Sequence, residues 1–178
     1  MKPNEKQQLL SMVSAGIFGP KLSGKTTLAK KISLFYWREC QQRTLCLDIN
    51  MEKWGDHCLV IEDEEKFWSM VWQTKDCLII VDEASSTINR DKSFIPVFTR
   101  LRHLRHRLVV IGHSGTNLLP AMREQLDTLF LFRQPEKAAE IWANTFTEKG
   151  LLQATELKQY EYIFCRLYCA PRIFKQKQ

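Results

Sequence analysis

The stretch Gly19-Pro20-Lys21-Leu22-Ser23-Gly24-Lys25-Thr26 has the spacing G-x-x-x-x-G-K-[ST] without a mismatch. A polyphosphate needs several backbone N–H donors converging on it. A glycine-bearing loop running into a helix N-terminus supplies them where the helix dipole is also positive. In such a loop, Lys25 reaches the β- and γ-phosphates as a point charge and the Thr26 hydroxyl sits on a magnesium ion. Thr27 is placed to contact the α-phosphate. The expected ligands are therefore a nucleoside triphosphate, held by Gly19 through Thr27, and Mg2+.

A second stretch, Cys77-Leu78-Ile79-Ile80-Val81-Asp82-Glu83-Ala84, puts two acids at the end of an apolar run, Asp82 falling 57 residues after Lys25. A carboxylate there holds Mg2+ beside Thr26, and its neighbour polarises a water for in-line attack on the γ-phosphate. Asp82 is thus expected as a metal-site residue of the Walker B type and Glu83 as the catalytic base. A small-molecule kinase uses its second substrate's hydroxyl as nucleophile and does not need that glutamate, so Asp-Glu favours hydrolysis. The Asn/Thr-Lys-x-Asp of guanine-reading GTPases is absent. ATP is the expected nucleotide.

These groups need a scaffold. Val13 to Phe18 is apolar and reads as a strand, and Leu28-x-x-x-Ile32-x-x-Phe35 marks one face of a helix running to about Glu39. Further strands are expected at Arg43 to Ile49, Cys58 to Ile61, Leu108 to His113, Thr128 to Phe132 and Glu161 to Tyr168. Helices are expected at Glu65 to Gln73, Ser93 to Leu104, Pro120 to Leu126 and Ala138 to Phe146. Alternation of this kind predicts an α/β fold, a P-loop NTPase of the ASCE or RecA-like sort, whose mostly parallel sheet is covered by helices on both faces. Nucleotide should bind at the C-terminal edge of that sheet. His113, at the end of the strand beside the Asp-Glu strand, is either a γ-phosphate sensor or an ordinary turn residue. Asp48 and Asn50 end their strand on the ligand side of such folds, although solvated strand ends are the commoner explanation for such groups.

No linker or repeat divides the chain, so residues 13–168 are expected to be one ATPase domain, with 1–12 a flexible lead-in and 169–178 a basic tail. A formal charge of +6 points weakly to a polyanionic partner, and placement says more. Asp48 to Glu65 holds seven acids and one lysine, whereas Arg100 to Arg107 holds four arginines, two histidines and no acid. Such blocks are either solvated faces or surfaces that meet an opposite charge on a neighbouring subunit or a phosphate. The six cysteines show no C-x-x-C pair, and Cys46, Cys58 and Cys77 lie in or beside apolar runs, so all six are expected as reduced thiols. No apolar run is long enough to span a bilayer and the N-terminus lacks a signal-peptide pattern, so a cytoplasmic protein is expected.

The stretches Gly19 to Thr27, Ile79-Ile80-Val81-Asp82-Glu83-Ala84 and Thr99-Arg100-Leu101-Arg102-His103 carry a family resemblance, as do Leu119-Pro120-x-x-Arg123 and Phe130-Leu131-Phe132-Arg133. In these stretches the sequence resembles the HerA/FtsK-type P-loop ATPases, and within them the genome-packaging ATPases of tailless, membrane-containing icosahedral viruses. The resemblance implies a ring homo-oligomer, usually hexameric, that hydrolyses ATP to move double-stranded DNA into a preformed capsid. It also implies capsid or portal-vertex proteins and viral membrane components as partners, and the host cytoplasm and the virion packaging vertex as locations. An arginine of one subunit would complete its neighbour's site, and Arg102 and Arg105 are the first choices, with Arg90 and Arg100 behind them. One departure is visible: the family's usual glutamine at the sensor strand's end is replaced here by Ile-Gly-His-Ser, where His113 can still donate a hydrogen bond. Filamentous-phage assembly ATPases related to the zonula occludens toxin share several of these features. A helicase-loader-like regulatory module that binds nucleotide without translocating DNA is the alternative from another class.

Overall fold

Strand β4, Leu78–Val81, is four apolar residues that are all fully buried, as expected of a central strand covered on both faces. In the computed structural model, which describes residues 3–82 and 94–176, it belongs to an eight-stranded sheet. The other strands are β1 (Ser14–Phe18), β2 (Thr44–Leu47), β3 (Cys58–Ile61), β5 (Arg107–Gly112), β6 (Thr128–Phe132), β7 (Glu161–Arg166) and β8 (Cys169–Lys175). Their order is β3-β2-β4-β5-β1-β6-β7-β8, parallel from β3 to β6 and antiparallel for β7 and β8. The helices are α1 (Pro3–Leu10), α2 (Lys25–Cys40), α3 (Glu64–Gln73), α4 (Ile95–His103), α5 (Pro120–Arg123) and α6 (Glu136–Phe146). A mostly parallel α/β fold is therefore present as expected.

The two faces have separate cores. On one, Leu28, Ala29, Ile32 and Tyr36 of α2 meet Ile17, Ile80 and Val109. On the other, Phe67 and Val71 of α3, Phe98 and Leu101 of α4 and Trp142 of α6 meet Leu45, Ile79 and Val110. Each fully buried aliphatic or aromatic side chain contributes roughly 1.5–3 kcal/mol. Between α2 and β2, Ser33 Oγ and Thr44 Oγ1 pair two buried hydroxyls at 2.7 Å.

Both ends depart from expectation. The segment expected as a flexible lead-in is helical over Pro3–Leu10. The carbonyls at a helix's C-terminus have no partners within it. Here Arg107 Nη2 donates to Leu10 O at 2.9 Å and Arg166 Nη1 to Gln8 O at 3.3 Å, while the Tyr36 hydroxyl donates to Leu9 O. Met12, just beyond, is buried. The expected basic tail is strand β8 over Cys169–Lys175, since β7 stops at Arg166 and the chain turns back at once, with Tyr168 at φ 65°. Phe174 of β8 stacks on Tyr162 of β7 at 5.7 Å between ring centroids.

The charge blocks are resolved residue by residue. In the acidic block, Asp63 caps α3 by accepting from Lys66 N at 2.7 Å, and Glu64 and Glu65 occupy the first turn, where the helix dipole favours them. Asp48 is not a solvated strand end: it is 1% exposed and accepts from Asn50 N, Glu52 N and the Trp54 indole N–H. In the basic block, His106 is buried, accepting from Cys77 N at Nδ1 and donating from Nε2 to Val71 O. Arg107 turns inward over the Tyr36 ring at 4.9 Å. Arg105 forms a bidentate pair with Asp76 at 2.7 and 2.6 Å, which holds the Asp76 carboxyl below the usual carboxylate range. Arg100, Arg102 and His103 stay exposed.

All six cysteines are free. Burial pushes the Cys165 thiol up to about 12, and it raises Cys46 and Cys77 as well, so these three behave as small apolar groups. No helix among the described residues is long and apolar enough to cross a membrane.

Candidate nucleotide site

Strand order decides what meets at the sheet's C-terminal edge. β5 lies between β1 and β4, so the loop after β1, the end of β4 and the end of β5 converge there. The register pairs Phe18 with Gly112 and Val81 with Val110, and Gly19 N donates to Gly112 O at 3.2 Å. From that bond the loop departs, and at Gly24, with φ 100°, it enters α2. This left-handed conformation strains residues other than glycine. Gly19 is required for a different reason: a Cβ there would lie 2.5 Å from Phe132 Cβ, a closely attached atom that cannot swing aside.

Inside the loop, the Lys25 ammonium donates to Pro20 O at 2.9 Å and is 8% exposed. Thr26 Oγ1 donates to Asp82 Oδ2 at 3.1 Å, and Asp82 is 6% exposed, its backbone N bonded to Leu47 O of β2. A hydroxyl and a carboxylate oxygen side by side are the hard donors that Mg2+ prefers, and Mg2+ completes its shell with water and substrate phosphates. The donor set fits the ion. Lys21, Leu22, Gly24, Lys25, Thr26 and Thr27 border a cavity of about 340 Å3 that His113 and Glu52 also line. His113 Nδ1 approaches Gly19 O at 3.4 Å, and its own backbone carbonyl accepts from Gln134 Nε2 at 3.1 Å.

The expected phosphate loop, Thr26, Asp82 and His113 are thus brought together. Glu83, expected as the base, and Arg90 lie outside the described residues. Arg102 and Arg105 are elsewhere: they border a hollow with Asp76 and Arg107, before β5 begins, at the sheet's N-terminal edge. The six residues of β5 separate them from their own phosphate loop by about 20 Å at the usual strand rise. Neither can act on the nucleotide held by its own chain.

Sequence reading missed several members of the site. Asp48 stands beside Asp82 through the Leu47 to Val81 register and organises the loop that brings Glu52 to the cavity. Gln176 Nε2 donates to Gly24 O at 3.0 Å and Gln159 Nε2 to Leu22 O at 3.4 Å, so β8 and the segment before β7 reach over the phosphate loop. The Asp48-x-Asn50 end of β2 was a visible signal. Nothing local marked the two glutamines.

A glycine loop with a buried lysine, entering a helix at the C-terminal edge of a mostly parallel sheet, with threonine and aspartate oxygens paired beside it, defines a P-loop NTPase fold. No family model matches the chain, and no curated protein matches it. Among solved structures, the chain is similar to the genome packaging NTPase B204 from Sulfolobus turreted icosahedral virus 2 in complex with sulfate. That match has a TM-score of 0.79 at 17% identity, over 100% of this chain and 99% of that one. It is similar likewise to B204, the DNA-packaging ATPase from Sulfolobus turreted icosahedral virus, at TM-score 0.78 and 18% identity over 93% and 98% of the two chains. The N-terminal domain of zonular occludens toxin from Neisseria meningitidis follows at TM-score 0.59 and 15% identity, over 94% and 96%.

Proposed function

We propose that this chain is an ATP-hydrolysing motor that moves double-stranded DNA into a preformed viral capsid. The observation that carries the reading is the contact of Thr26 with Asp82 inside a complete phosphate loop, in a chain similar over nearly its full length to genome-packaging NTPases. B204 has been crystallised with AMP, AMPPCP and ATP-gammaS, which supports ATP as the nucleotide here.

In this reading the backbone N–H groups from Gly19 to Thr27 and the Lys25 ammonium hold the phosphates, and Thr26 and Asp82 hold Mg2+, which would neutralise charge building on the β- and γ-phosphate oxygens. Glu83 takes the proton of the attacking water, and His113, in contact with Gly19 O, senses whether the γ-phosphate is present. The subunits form a head-to-tail ring, hexameric by the resemblance. In it, the N-terminal sheet edge of one subunit faces the nucleotide of the next, because Arg102 and Arg105 cannot reach their own. Arg102 is the better finger, since Arg105 is held by Asp76. Exposed basic side chains contact DNA phosphates with little base reading. Capsid-vertex and viral membrane components are the further partners, and the infected cell's cytoplasm and the virion vertex the places of action.

ATP turnover measured with and without double-stranded DNA across a salt series tests this. Stimulation by DNA that fades steeply as salt rises is the expected result, because each neutralised phosphate adds to the salt slope. Turnover indifferent to DNA would contradict it and favour an assembly ATPase acting on protein.

A further inference from the structure

Glu52 stands on the loop between β2 and β3, yet it lines the same cavity as Lys25, Thr26 and His113. Its position is built. Asp48, buried beside Asp82, accepts from the backbone N–H groups of Asn50 at 2.9 Å and Glu52 at 3.1 Å and from the Trp54 indole at 3.0 Å, so one carboxylate fixes the loop at three points. The Glu52 side chain then meets the Lys30 ammonium at 2.6 Å, and Lys30 lies 5.5 Å from the centre of the Trp54 ring. Lys30 is one turn beyond Thr26 on α2. The loop is therefore tied to the helix that carries the phosphate site.

A bare carboxylate facing a triphosphate would be repelled by it. Lys30 supplies the charge that lets Glu52 stand there, and both side chains keep partial exposure, 30% and 47%, so the pair can exchange with water as a weak surface contact does. β2 and β5 flank β4 on its two sides, so the loop that carries Glu52 comes to the cavity from the β2 side and His113 from the β5 side.

We propose that Glu52 is a second carboxylate of the hydrolytic site, one that orients the attacking water, and this rests on the ATPase reading above. As the water oxygen bonds to the γ-phosphorus, the bond from that phosphorus to the bridging oxygen breaks, and its electron pair leaves with ADP. One water proton passes to Glu83 and then to solvent. The other stays on the phosphate formed, and before attack it is the proton that Glu52 holds in a hydrogen bond. Two acceptors fix the water where one would leave it free to rotate. Lys30 balances the added negative charge.

Three variants test the assignment through opposite effects on binding and turnover. Glu52→Ala should lower kcat about 30-fold, within the range that lost positioning produces, with ATP affinity unchanged or tighter. Lys30→Gln should weaken ATP binding about fivefold, because it leaves Glu52 uncompensated beside the phosphates. The double variant should regain ATP affinity but keep the low kcat. A readout apart from turnover is the affinity for ADP with magnesium and aluminium fluoride: the parent should bind it at least tenfold more tightly than ADP alone, and Glu52→Ala should lose that gain. A pair that only ties the loop to α2 would make all three variants fail alike, and that pattern overturns the proposal. A Glu52→Ala protein as active as its parent overturns it while leaving the ATPase reading intact. A parent that neither turns over ATP nor tightens on the fluoride complex overturns both.

Discussion

Lys25→Ala is expected to lose ATP turnover by about 10³-fold or more and to lose the rise in melting temperature that ATP gives the parent. The size of the effect follows from burial. At 8% exposure the ammonium sits in the loop with its Nζ on Pro20 O, so ATP meets a fixed cation that water screens poorly. Removing it deletes a charge-assisted contact to two phosphates, each worth about 1.5–3 kcal/mol. The nucleotide-free protein should lose far less, because the alanine removes the cost of burying an ammonium along with the Pro20 bond. Thermal unfolding with and without Mg2+ and ATP checks both halves. An ATP-induced rise equal to that of the parent would show that Lys25 does not touch the nucleotide.

Glu83→Gln is expected to keep ATP and stop hydrolysis. Glutamine preserves size and hydrogen bonding but accepts no proton, so kcat should fall about 10²- to 10⁴-fold while the ATP dissociation constant stays within about threefold. Asp82, its neighbour in sequence, already emerges from β4 against Thr26 at 3.1 Å. Glu83 follows it in sequence, and it is the residue whose carboxylate chemistry this account requires. Nucleotide recovered from the variant after rapid gel filtration should be ATP, whereas the parent should yield ADP. Turnover equal to the parent's would remove Glu83 from the mechanism.

What could be read from the sequence was what is local. The phosphate loop and β4 are short runs whose own residues dictate their structure, and so they stand where the spacing puts them. Helix α1 could not be read, because its C-terminal carbonyls are met by Arg107 and Arg166, 97 and 158 positions away in sequence. β8 was hidden by its composition: its basic residues suggest a tail, and only pairing with β7 makes it a strand. Asp48 illustrates the same limit within the site. An acid at a strand end is usually solvated, and three donors within the next six residues turned it inward. The arginine-rich block looked like one surface, whereas the fold buries His106, turns Arg107 onto Tyr36 and pairs Arg105 with Asp76.

Movement along DNA is the central claim, and displacement of a short third strand from a linear double-stranded DNA measures it directly. The motor should strip that strand only when ATP and Mg2+ are present, and the Glu83→Gln protein should leave it in place. ATP hydrolysis stimulated by the same DNA with the third strand still bound would contradict the account.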